Sequence, residues 1–190
     1  KMMLNRHPFY GDDILKIGKV AASGSFFIGD GNAEEVSVQA RYVACLRAAY
    51  GGGRPLKIAW DSGNGSAGPV MCELCSSLPG NHILINETID GTFPSHHPDP
   101  TVPECLEQLQ RIVKSEGCDL GIAFDGDGDR IGAIDSEGQI LWGDQLMMFF
   151  ATDLLQEFPG STIIADVKAS QALFDKISQL GGIPLMWRTG

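Results

Sequence analysis

Between two apolar stretches of strand length, Leu120 to Phe124 and Ile131 to Ile134, the chain reads Asp125-Gly126-Asp127-Gly128-Asp129-Arg130. Carboxylates at i, i+2 and i+4 point the same way along an extended segment, and the intervening glycines let it curl around a centre. Three carboxylates that close repel one another, and one arginine offsets only part of that; the remainder calls for a cation or raised pKa values. An all-oxygen set without His or Cys favours Mg2+ or Ca2+ over zinc or copper. The place directly after an apolar strand is where α/β proteins bind ligands. A plain polar turn is the simplest alternative, but strict Asp-Gly alternation is not ordinary turn composition. An EF-hand does not fit. Counted from Asp125, the sixth residue is Arg130 rather than Gly and the twelfth is Ser136 rather than Glu, and the flanks read as strands.

A second motif competes for attention. Gly63-Asn64-Gly65-Ser66-Ala67-Gly68 fits G-x-G-x-x-G between a strand-like and a helix-like run, and Glu87 follows at the distance of a ribose-binding acid. Alone it would suggest a dinucleotide-binding oxidoreductase. Asp61 would set a carboxylate near the pyrophosphate, Pro69 removes an amide from the helix start, and no hydride-transfer group follows. A tight strand-to-helix turn without cofactor is expected. Cys72 and Cys75 form a C-x-x-C inside a helical pattern with no second pair for zinc, so two buried thiols are expected. His96 and His97 are expected to pack within a loop, and Ser95 is given no catalytic role.

Those residues need a scaffold. Residues 1–28 mix short β-like runs with turns and look like the tail of a preceding domain. Asn32 is the expected N-cap of a helix from Ala33 to Tyr50. Strands are expected at Leu56 to Trp60, His82 to Asn86, Leu120 to Phe124 and Ile131 to Ile134, then Gln139 to Trp142 as an extension. Helices are expected at Pro69 to Leu78 and Glu104 to Glu116, with a polar, Pro-rich loop from Glu87 to Pro103. Asp144 to Phe158 and Ser170 to Leu180 are helical in pattern, with strands at Thr162 to Asp166 and Ile183 to Trp187. That last alternation is a βαβ crossover and predicts a parallel pair. The fold class is α/β.

Composition bounds the function. The chain has 190 residues and a formal net charge of -10, with 24 acidic against 14 basic residues. That argues against a nucleic-acid or membrane-surface partner, since both need a basic face. Five scattered cysteines suit free thiols in a reducing cytoplasm. The sequence opens in mid-pattern and stops directly after a strand-like run, so it is expected to be a piece of a longer polypeptide.

Taken together, four runs resemble the α-D-phosphohexomutase family, its bacterial phosphomannomutase/phosphoglucomutase branch in particular. They are Asp61 to Gly68, Asp90 to Pro100, Leu120 to Arg130, and Asp166-Val167-Lys168 through Met186 to Gly190. The resemblance implies a four-domain enzyme, with mixed sheets flanked by helices. Residues 1–37 would end the first (phosphoserine) domain with a linker helix, 38–140 would form the second domain carrying the metal loop, and 141–190 would begin the third, sugar-recognition domain. It implies Mg2+ on Asp125, Asp127 and Asp129, with a phosphoserine from a Thr-x-Ser-His-Asn-Pro loop as fourth ligand. That serine would lie outside this chain. The implied reaction interconverts 1-phospho and 6-phospho sugars through a bisphosphorylated intermediate. Arg130 would contact the phosphoserine or the transferring phosphate, a salt bridge to a neighbouring aspartate being its alternative. Lys1 would line the active site, and Arg188, where relatives often have Lys, would bind the substrate phosphate. The His-His-Pro-Asp-Pro run leans towards mannose or glucose phosphate, with the phosphoglucosamine mutase branch as the alternative. These 190 residues alone are expected to be inactive and to bind metal weakly or not at all.

Overall fold

The computed structural model describes residues 2–189, which fall into two compact units divided between Ser37 and Val38. The first unit holds a hairpin of two short strands, β1 (Met3–Leu4) and β2 (His7–Pro8), followed by helix α1 (Asp12–Ser23). The helix corrects the expectation of β-like runs through residues 1–28. Asp12 and Asp13 occupy its first turn, where the helix dipole favours negative charge, and Gly24 closes it in the left-handed conformation at φ 64°. Ile14, Ile17 and Val20 recur at helical spacing, but Gly18 interrupts the pattern and hides it.

The second unit opens with α2 (Gln39–Ala48), later than the expected start at Ala33, and Asn32 caps no helix. Val36 and Val38 are exposed, so nothing packs on the segment that was to begin the helix. Short helices take most of their stability from such packing. Then the alternation is as the sequence predicts: β3 (Leu56–Asp61), α3 (Ala67–Cys75), β4 (Gly80–Ile85), α4 (Pro103–Glu116), β5 (Leu120–Phe124), β6 (Ile131–Asp135) and β7 (Ile140–Leu141). Helix α3 stops at Cys75 rather than Leu78.

These strands form one mixed sheet in the order β4-β3-β5-β6-β7. β3 runs parallel to both β4 and β5, whereas β6 and β7 add antiparallel. Alternation along the strands sends Ile58, Trp60, Ile122 and Phe124 to the α3 face and Ala59, Ala123 and Ile134 to the α4 face. Helix α4 lies so close over β5 that a Cβ on Gly121 would come within 2.6 Å of Val113. Past this sheet, α5 (Gly143–Glu157), β8 (Thr162–Asp166), α6 (Gln171–Gln179) and β9 (Ile183–Trp187) make the expected crossover, with β8 and β9 parallel. Ala151, Leu155, Ile163, Leu173 and Ile177 form its own core.

The parallel triplet matters most for chemistry. Asp61 is in register with Ile85 on one side and Ala123 on the other, so the carboxyl ends of β3, β4 and β5 share one edge. The α4 layer holds that edge in place: Leu109 is fully buried against Ala59, Val113 and Ile134. Leu109→Ala should therefore cost about 3 kcal/mol in urea unfolding, as large-to-small core changes do. A cost below about 1 kcal/mol would place Leu109 outside the core.

Candidate metal centre

The loop between β5 and β6 is organised by its first carboxylate. Asp125 is 2% exposed. Its Oδ1 accepts the backbone N–H groups of Asp129 (2.9 Å) and Arg130 (3.0 Å), and its Oδ2 accepts Nε of Arg130 at 2.7 Å. The Gly128 amide donates to the Asp125 carbonyl at 3.1 Å, with Gly128 at φ 72°, a conformation glycine adopts without strain. Burial alone would raise the Asp125 pKa, but the hydrogen bonds from the Arg130 backbone and guanidinium outweigh it, and the carboxyl titrates below its ordinary range. The turn thus drawn tight brings one carboxylate oxygen each from Asp125, Asp127 and Asp129 within 4.8 Å of one another. Asp127 and Asp129 are exposed while Asp125 is buried, which leaves the cluster open on one side. Three oxygen donors and no nitrogen or sulfur suit a hard divalent cation.

The glycine-rich turn after β3 buttresses this loop. The amide of Ser66 donates to the Gly126 carbonyl at 3.0 Å, and a Cβ on Gly65 would meet that same oxygen at 2.7 Å. A Cβ on Gly68 would collide with the Glu87 carbonyl at 1.9 Å. Gly63 donates to Asp61 Oδ1, Asn64 to Asn86 O, Gly65 to Ser62 O and Gly68 to Gly65 O. The amides of Gly63, Asn64, Gly65, Ser66 and Gly68 already have partners within the protein, and that counts against the dinucleotide reading.

A third loop, after β4, completes the edge. Asp61 is fully buried, and accepts from Gly63 N, from Asn86 Nδ2 at 2.9 Å and from His96, whose Nε2 lies 2.8 Å from Oδ2. Asn86 in turn donates to Gln108 Oε1 on α4 at 3.1 Å. Three residues past His96, Asp99 Oδ1 accepts from Arg130 Nη1 at 3.1 Å and from the Thr101 hydroxyl and amide at 2.7 and 3.0 Å. The Thr101 bonds, side chain before backbone, hold the Asp99 carboxyl below the usual carboxylate range. Asp61, His96 and Asp99 were not foreseen as part of the site. One signal was present: a carboxylate that ends an apolar strand is buried and must find donors.

The remaining sequence expectations divide. Arg130 is half-exposed and bonded to Asp125 and Asp99, the salt bridge that was its alternative role. His96 packs as expected, but His97 is exposed and does not. Arg188 is exposed just past β9, on the two-stranded sheet rather than the one carrying the aspartates. Lys1 lies outside the described residues. Cys75 is buried but Cys72 is exposed, against the expected buried pair. Burial, then the neighbouring Cys72, push the Cys75 thiol up to about 11, unlike a redox pair.

If the glycine turn serves the loop, Gly65→Ala should displace Gly126 and destabilise the fold by about 1–3 kcal/mol, as overpacking does. Amide chemical-shift changes centred on residues 125–130 would check it; changes confined to residues 63–68 would contradict the buttress.

Known proteins agree with this architecture. Residues 40–138 match the family described as phosphoglucomutase/phosphomannomutase, alpha/beta/alpha domain II. A phosphomannomutase/phosphoglucomutase of Pseudomonas aeruginosa is 44% identical over 162 residues, covering 85% of this chain and 35% of that protein. A phosphoglucomutase of Neisseria meningitidis is 35% identical over 192 residues, covering all of this chain and 42% of that protein. The chain thus spans well under half the length of these curated relatives. A solved phosphoglucomutase/phosphomannomutase family protein of Burkholderia thailandensis superposes with a TM-score of 0.88 at 40% identity, over 95% of this chain and 40% of its own. With a match over more than half its length and the aspartate loop set at the shared edge of the parallel strands, the chain belongs to the phosphoglucomutase/phosphomannomutase family.

Proposed function

We propose that this chain is part of a phosphomannomutase/phosphoglucomutase that interconverts the 1-phospho and 6-phospho forms of mannose or glucose through a phosphoserine and a bisphosphorylated intermediate. One observation carries the reading: three aspartate oxygens gathered within 4.8 Å at the carboxyl edge of a parallel triplet. In this reading Asp125, Asp127 and Asp129 hold Mg2+. The cation supplies Lewis-acid stabilisation of charge on phosphoryl oxygens. Asp125 sets the loop, Arg130 presents a half-exposed guanidinium to an approaching phosphate, and Asp127 and Asp129 face the open side. Phosphoryl transfer depends on such positioning and charge neutralisation more than on covalent chemistry by the protein. Lys1 and Arg188 are assigned to the phosphate-binding surroundings on the resemblance of their local runs. Residues 1–37, 38–140 and 141–190 are assigned to the first, second and third domains of the intact enzyme. The serine loop and the remaining domains of that polypeptide are the partners, and the phosphosugar is the substrate. Among the described residues no helix is long and apolar enough to cross a membrane. We assign the protein to the cytoplasm on its odd number of scattered cysteines.

Mn2+ titration of the intact enzyme followed by electron paramagnetic resonance tests the metal assignment. Asp127→Asn should abolish saturable binding while leaving the unfolding free energy in urea within about 0.5 kcal/mol, since Asp127 is exposed. Lowered stability with unchanged metal binding would make the loop structural instead. In the intact enzyme the same change should lower mutase turnover by roughly a hundredfold or more, the scale of losing a charge-stabilising metal. The 190 residues alone should show no turnover, because the Thr-x-Ser-His-Asn-Pro loop of such enzymes is not among them. Measured turnover would overturn the assignment of the catalytic serine to a segment outside this chain.

A further inference from the structure

A metal on Asp125 faces a prior occupant. On Asp125, Oδ1 already takes two backbone N–H groups that shape the turn, and Oδ2 takes Arg130 Nε. A cation joining the shell sits beside the guanidinium bonded to Asp125 Oδ2, and two positive groups on one carboxylate repel in a partly buried site. That repulsion weakens the hold of Arg130 on Asp125. A released guanidinium would swing into solvent unless a second anion kept it.

That anion is in place. Asp99 Oδ1 lies 3.1 Å from Arg130 Nη1, on the far side of the guanidinium from Nε. Its own carboxylate is fixed by the Thr101 hydroxyl and amide, and its backbone sits between the buried Pro98 and Pro100. The loop is anchored upstream by His96 on the fully buried Asp61. Asp99 is thus a pre-set acceptor that does not need to move.

We propose that Asp99 is a positioning residue that retains the Arg130 guanidinium beside the aspartate loop when a divalent cation joins the Asp125 carboxylate. Arg130 and the cation are then competitors for Asp125, and Asp99 lowers the cost of the exchange while keeping Arg130 at the site. The inference rests on the reading that the three aspartates bind a divalent cation.

A double-mutant cycle on Mn2+ dissociation constants of the intact enzyme tests it. Arg130→Gln should tighten Mn2+ binding about three- to tenfold and Asp99→Asn should weaken it by a similar factor, on the scale of coupling between contacting residues. In the Arg130→Gln background Asp99→Asn should change affinity by no more than about twofold. Equal weakening in both backgrounds would mean that Asp99 acts only through its charge, and overturns the proposal. So does no weakening in either. The guanidinium N–H resonances of Arg130 give a second readout. On Mg2+ saturation they should shift yet stay protected from solvent exchange in the parent chain and lose protection in Asp99→Asn; retained protection in the variant overturns the proposal. Mn2+ binding that survives Asp127→Asn would instead overturn the metal reading itself, a result distinct from every outcome above.

Discussion

Burying a carboxylate is costly unless hydrogen-bond donors replace the water it loses, and Asp125 meets that requirement entirely from its own loop. Two backbone amides and one guanidinium converge on its two oxygens, all from residues within five positions downstream. The same bonds that satisfy the charge fold the six-residue connection between β5 and β6 into a tight turn. The other two aspartates are brought to face the same centre as a by-product. The candidate metal cluster is thus a consequence of how one buried charge is satisfied.

The surrounding loops extend that logic. Each of the three parallel strands ends in a segment that turns back towards the others. The glycine turn after β3 lays its Ser66 amide on the Gly126 carbonyl, and the loop after β4 returns through His96 to the carboxylate of Asp61. Asp61 and Asp125 play matching roles on neighbouring strands. Each is a buried anion at a strand end, and each pins a loop by drawing donors from it. Gly65 and Gly68 are small because other backbone atoms occupy the space where their side chains would be. Substituting either one alters loop packing before it alters any ligand contact.

The family match and this local construction are independent lines that meet in the same place. The matched segment, residues 40–138, contains the whole five-stranded sheet apart from its short edge strand and all three loops of the shared edge. The crossover unit of α5, β8, α6 and β9 has its own core, and Arg188 follows the last strand of its separate sheet. The chemistry proposed for the intact enzyme draws on both sheets, but the electrostatics of the aspartate loop belong to the central one alone.

The sequence by itself determined the order of strands and helices from β3 onward, the α/β class and the aspartate loop, because periodicity and alternating Asp-Gly are local patterns. It misjudged α1 and the start of α2, where few apolar contacts back the local preference: α1 buries no residue and α2 buries only Val43. It also left the glycine motif ambiguous, since G-x-G-x-x-G looks the same whether its glycines make room for a pyrophosphate or for a carbonyl. Only tertiary structure decided that, by placing Gly126 and Glu87 where a ligand would have been. Likewise, nothing in the spacing of Asp61, His96, Asp99 and Arg130 shows that they interact. They meet because parallel pairing of β3, β4 and β5 brings three distant loops to one edge, and buried charges there must find partners wherever the fold supplies them.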